Sequence, residues 1–204
     1  INGNNNANNI GINMNINVVN IGEEKNTAID DADFIANIIN LLESDTKEAL
    51  FMGKPWIKYK EDKMNEAIAQ AFEKIHCNPK HPENHNIYAS QKNVYAPFNV
   101  HQNGEWQPTS DFTPIKEVAF NTKNKLTETI GLYSDCYEEK DEDKKVLDRG
   151  MFELNRNYES VDDIRPKLCH KILNTAYKNK EVIKPNFQKT KKRQKLNLNI
   201  KRNN

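Results

Sequence analysis

Residues His76–Asn86 read HCNPKHPENHN and join the plainest helical pattern of the chain to a run of short strand patterns. Before the joint, Met64, Ala67, Ile68, Ala71, Phe72 and Ile75 share one helical face, with Glu66, Gln70, Glu73 and Lys74 opposite. After it come Ile87–Ser90, Val94–Val100 and Glu105–Gln107, separated by Gln91-Lys92-Asn93 and by Gln102-Asn103-Gly104. Asn-Gly favours a tight hairpin because both central residues of a type I′ turn need positive φ. A helix entering a Pro-stiffened corner and leaving as a small antiparallel β-meander predicts an α+β fold. In the corner itself, His and Asn side chains are expected to bond the backbone groups that a helix end and a strand start leave open. His76, Asn78, Pro79, His81, Pro82, Glu83, Asn84, His85 and Asn86 are therefore read as a structural motif, with no catalytic residue among them.

Working outward toward the N-terminus, residues 44–60 contain Gly53, Pro55, Trp56 and Tyr59 and read as a packed loop. Ile35, Ile38, Ile39 and Leu42 have helical spacing and predict a helix over about residues 30–43, capped by Asp30 or Asp31. Further upstream the period changes to two. Ile10, Ile12, Met14, Ile16 and Val18 fall on one strand face and Asn13, Asn15 and Asn17 on the other. No matching strand follows nearby, and a lone apolar strand leaves its face and both edges unsatisfied. Those five apolar residues are expected to form an oligomerisation stem between copies of the chain. Docking on the chain's own meander and an Asn-rich leader are the alternatives.

Toward the C-terminus, Thr113 is expected to cap a helix with Pro114 in its first turn and Ile115, Val118, Ala119, Leu126, Ile130, Tyr133 and Tyr137 on its buried face. The charged run Glu138–Lys145 should end it. Leu147, Met151, Leu154 and Tyr158 mark one further helix; Leu168, Ile172, Leu173, Ala176 and Tyr177 mark another, with Asp163 as cap. The resulting division is 1–22 stem, 23–110 helix plus meander core, 111–180 helical subdomain and 181–204 basic flexible tail.

Composition bounds the function. Apolar residues make up 36% of the 204 residues and mean hydropathy is −0.90, so part of the chain must bury little. A net charge of +1 gives no global pull toward nucleic acid or an anionic membrane. No apolar run is long enough to span a bilayer, and no signal-peptide pattern opens the chain. The start at Ile1 implies an upstream part. The three cysteines, Cys77, Cys136 and Cys169, are dispersed and odd in number, which fits a reducing compartment.

Together, INVVNIGEEK, the helix ending EKIHCNPKHPENHNIYAS, the meander ending NGEWQ and the helices after it resemble a region of uncharacterised proteins of large nucleocytoplasmic DNA viruses, mimivirus-like ones in particular. The resemblance covers roughly residues 10–180 and is carried mainly by His76–Ile87. It departs at Cys77, where an aromatic is more familiar, and at Ile21, where Phe is common. It implies a mostly C-terminal module, other viral proteins as partners, and a location in the virion or the host cytoplasm at the virus factory.

Two chemical readings of the joint compete with the structural one. Cys77, His81 and His85, with Cys169-His170 from a distant helix, could be metal ligands, but zinc sites draw paired ligands from two knuckles and no Cys-x₂-Cys is present. A nuclease would use a His as base, with Asn84 and Glu83 in support, yet the helix here precedes the motif, the reverse of the His-Asn-His order. No metal and no cofactor is therefore expected. Lys191, Lys192, Arg193 and Lys195 form the densest basic cluster and are the candidate contact to nucleic acid. The resulting expectation is a non-enzymatic viral structural or interaction module that homo-oligomerises, with a metal-dependent nuclease-like protein as the alternative.

Overall fold

The computed structural model describes residues 18–24, 29, 32–52, 56–138 and 141–202. Within them the chain forms α1 (Ala32–Met52), α2 (Trp56–His76), β1 (Ile87–Tyr88), β2 (Phe98–Gln102), β3 (Glu105–Thr109), α3 (Thr113–Ser134), α4 (Glu142–Asn157), α5 (Pro166–Lys178) and α6 (Lys180–Arg202). The fold class is α+β, with a three-stranded antiparallel sheet in the order β1-β2-β3. Ile10, Ile12, Met14 and Ile16 lie outside the described residues.

α2 is the centre of the molecule. Its apolar stripe, Met64, Ala67, Ile68, Ala71, Phe72 and Ile75, is fully buried, and α1, α3 and α5 all pack around it. The helices assigned to a C-terminal subdomain thus contribute Ile115, Leu126, Leu154 and Leu168 to the same apolar cluster as Ile38 and Phe72. The meander pairs as its turn signal predicts: Gln102 stands opposite Glu105 across Asn103 (φ 53°) and Gly104 (φ 76°). β2 starts later than the apolar pattern indicates because Asn93 forms a turn, accepting the Tyr95 N–H on its side chain (3.1 Å) and the Ala96 N–H on its carbonyl (3.0 Å).

Several expectations need correction. Residues 44–52 and 56–60, expected in a loop, are helical: α1 continues to Met52 and α2 begins at Trp56, with Gly53 and Pro55 outside the described residues. The stretch between Glu43 and Met52 contains neither Gly nor Pro, so nothing in it stops a helix once formed. Thr113 does not cap α3; Asp111 Oδ1 accepts from both its N–H and its hydroxyl at 3.0 Å, and Thr113 is the first helical residue. Tyr137 lies beyond the end of α3. Asp163 does not cap α5 either. Its carboxylate closes a short 3₁₀ turn by accepting from the Ser160 N–H (2.8 Å) and hydroxyl (2.9 Å).

The largest difference is at the C-terminus. Residues expected to be a flexible tail form α6, whose Ile183 is fully buried and whose Phe187 stacks on Tyr88 of β1 (4.3 Å) and meets Trp106 of β3 edge-on (4.9 Å). Ile183 and Phe187 are four residues apart, a spacing too short to register as a periodic stripe among the surrounding Lys and Gln. Gln194 accepts the outward N–H of Trp106 (3.3 Å), while Pro108 has no N–H to offer, so the amides along this edge of the sheet are closed to further strands.

Candidate functional site: a buried polar joint

α2 delivers His76 into the core at its last turn, stacked on Phe72 one turn earlier at 4.7 Å. Pro82 then opens the 3₁₀ turn Pro82–Asn84, and the chain enters β1 through Asn86. His76, Asn84, His85 and Asn86 are all buried. Burial at this density of polar groups demands partners.

The partner of Asn86 is Glu24, sixty-two residues upstream. A carboxylate only accepts, so the Asn86 amide nitrogen donates to Glu24 Oε1 (2.7 Å) and its oxygen accepts from His76 Nδ1–H (2.9 Å). The Gly22 N–H reaches both carboxylate oxygens of Glu24 (3.0 and 3.1 Å). Gly22 has φ +91°, and a Cβ there would sit 3.3 Å from Asn121, so only glycine fits without strain. Lys125 of α3 donates to the Glu24 carbonyl (2.5 Å) with its ammonium 3.7 Å from the carboxylate.

Burial disfavours ionisation of Glu24, but the neighbouring His76, the Gly22 N–H and the Asn86 amide outweigh it and hold the carboxyl below the ordinary range. Burial is the dominant influence on His76 and pushes its imidazole below the ordinary histidine value, against the pull of Glu24 and Asn86. Glu24 is thereby favoured as the carboxylate, with the Lys125 ammonium beside it.

His85 is held at both nitrogens. Nε2–H donates to the Asn78 carbonyl (2.9 Å), which fixes Nδ1 as acceptor for the Asn186 amide of α6 (2.8 Å). Asn78 Oδ1 accepts the Lys80 N–H (2.9 Å). His101 of β2 donates through Nδ1 to the Val19 carbonyl (3.2 Å). The Val19 N–H bonds the Glu83 carbonyl (2.9 Å) and the Ile21 N–H that of His101 (3.3 Å). Residues 18–24 are thereby fastened to the corner. Val18, assigned to the intermolecular face, is buried in this chain's own core.

His81 is half-buried, with Nδ1 3.4 Å from Glu83 Oε1. Cys77 is buried and burial pushes its thiol far up, while Cys169 is raised to about 11 for the same reason. His170 on α5 sits edge-on to Tyr95 (5.1 Å) and Phe112 (5.3 Å). Among the described residues no three His, Cys, Asp or Glu are placed to share a metal ion. None of the described helices is long and apolar enough to cross a membrane.

The basic cluster is spread around α6 rather than gathered. Lys191 and Lys195 lie one turn apart on one flank, Lys192 is exposed, and Arg193 turns to the other flank. Lys191 lies over the Phe187 ring at 4.9 Å. Sequence reasoning missed Glu24, Lys125 and Asn186, whose roles arise from contacts between distant segments. No protein-family model matches the chain, and no curated protein or solved structure matches it significantly.

The three buried histidines carry a pH dependence. Burial lowers the folded-state values of His76, His85 and His101 from 6.5, so the unfolded chain binds protons that the folded chain refuses. Stability is expected to be fully present above pH 6.5 and to fall as the pH drops below it. Glu24 adds a second loss below its ordinary value of 4.5. Urea midpoints measured across this range check the sign; a midpoint rising between neutrality and pH 5 would contradict it.

Proposed function

We propose that the chain is a non-enzymatic structural or interaction module of a large DNA virus, acting in the virion or the virus factory. It homo-oligomerises through the strand at residues 10–16 and engages other viral proteins, with Lys191, Lys192 and Lys195 of α6 available to nucleic acid. The observation that supports this reading most is the use made of the HCNPKHPENHN corner: its buried histidines and asparagines are spent on fastening residues 18–24. A segment that follows directly on an alternating apolar stretch is held by Glu24, Val19 and Ile21, so a stem would rise from a fixed base. A base of this kind reduces the entropy lost when identical strands meet.

Sedimentation at low micromolar concentration tests it. The unaltered chain is expected to be a defined oligomer, and Ile12→Asp with Ile16→Asp a monomer of unchanged helicity, because a charge on the apolar face cannot be buried between copies. A monomeric unaltered chain would remove the stem.

A further inference from the structure

Among the described residues three large apolar side chains are mostly exposed: Tyr95 (72%), Leu132 (66%) and Phe152 (61%). Tyr95 leans on His170, but Leu132 and Phe152 stand together on the hairpin of α3 and α4. These helices run antiparallel, as the contacts of Ser134 with Asp148 and Lys123 with Asn155 (3.2 Å) require. Gly131 faces Met151 across the pair, 3.5 Å from its built Cβ position to the sulfur. One residue further along each of two antiparallel helices turns both side chains to the same outer side.

The exposed charges beside this apolar pair are sorted by helix, the half-buried Asp148 of α4 being engaged by Ser134. Glu128 and Asp135, four residues before and three after Leu132, share its side of α3. Arg149 and Arg156, three before and four after Phe152, share its side of α4, with Lys145 a turn earlier. All five are exposed. One half of the face is acidic and the other basic, with an apolar pair between them.

We propose that this face is a second interaction surface and that its partner is the same face of another copy of the chain. A two-fold axis parallel to the helices places α3 over α4 of the second copy, antiparallel to it. Leu132 then meets Phe152, and Glu128 and Asp135 meet Arg149 and Arg156, in both halves at once. The alternative axis, perpendicular to the helices, sets acid on acid and base on base. Exposed ion pairs contribute little affinity but select orientation and reject mismatched partners, so the apolar pair supplies the affinity. The patch is small, and the contact is weaker than the stem and independent of it.

The test uses the full chain carrying Ile12→Asp and Ile16→Asp, in which stem association is absent, followed by sedimentation equilibrium from low micromolar to hundreds of micromolar. A dimer is expected at the upper end. Leu132→Ser with Phe152→Ser should weaken it at least tenfold with an unchanged urea midpoint. Glu128→Arg with Asp135→Arg should weaken it by a similar factor, and adding Arg149→Glu and Arg156→Glu should restore it. A monomer at every concentration, a dimer indifferent to Leu132 and Phe152, or a failure of the fourfold charge swap to restore pairing overturns the proposal. A chain that is monomeric at low micromolar concentration with Ile12 and Ile16 intact would count against the stem alone, since the hairpin face is read at the upper end of the titration.

Discussion

Asn86→Ala is expected to lower the stability of the chain by about 3 kcal/mol or more. The side chain is fully buried and bridges His76 and Glu24, whose own charged atoms stand 4.0 Å apart, donating to the carboxylate and accepting from the imidazole. Alanine would strand a buried carboxylate on the Gly22 N–H and the Lys125 ammonium, and leave the His76 Nδ1–H without its acceptor, 4.0 Å from Glu24 Oε1. Removing one member of a buried charged network costs more than the net value of the bond, because the remaining charge has lost its water without a replacement. Asn86→Asp, nearly isosteric, is expected to be at least as damaging at neutral pH, since it sets a second carboxylate against the first and abolishes the donor. Urea unfolding measures both. A loss below about 1 kcal/mol for Asn86→Ala would mean that water replaces the amide and that residues 18–24 are not fastened as described.

Truncation after Asn179 is expected to have the largest effect of any deletion that spares the α2 stripe. It removes the fully buried Ile183, uncovers Tyr88 and Trp106, and takes Asn186 from His85 and Gln194 from the β3 edge. Loss of a single large buried aromatic costs about 3–5 kcal/mol, and here an entire apolar contact goes. The truncated chain is expected to aggregate or to lose its cooperative unfolding transition, read by calorimetry. Phe187→Ala, which removes one half-buried ring, should cost about 2–3 kcal/mol, less than a fully buried ring. Lys191→Glu with Lys195→Glu should change stability by only about 0.5 kcal/mol, while weakening any salt-sensitive binding to nucleic acid. A truncated chain as stable as the full one would restore α6 to the role of a solvated end.

The pattern of agreement has a physical basis. The stripe of α2 and the Asn103-Gly104 hairpin were legible because helix period and turn chemistry are local properties, satisfied within a few residues. The extension of α1 to Met52 was not, because Gly53 and Pro55, with Trp56 and Tyr59 beside them, signal a loop without marking how far before them the helix runs. The fate of the corner was half legible. Its composition announced a polar turn with structural bonds; it could not announce Glu24, Lys125 and Asn186.

From the sequence alone follow the α+β class, the buried face of α2, the meander and its turn, and the cost of leaving so many His and Asn groups in a corner without partners. Tertiary structure alone decided which groups are those partners, that Val18 belongs to this chain's core, that the basic C-terminal segment is a docked helix, and that Leu132 and Phe152 come to stand side by side. The reason is range. Periodicity and turn propensity act over one or two turns of chain, whereas the bonds at the joint and the packing of α6 link residues sixty to a hundred positions apart, and only closure of the core brings those residues within reach of one another.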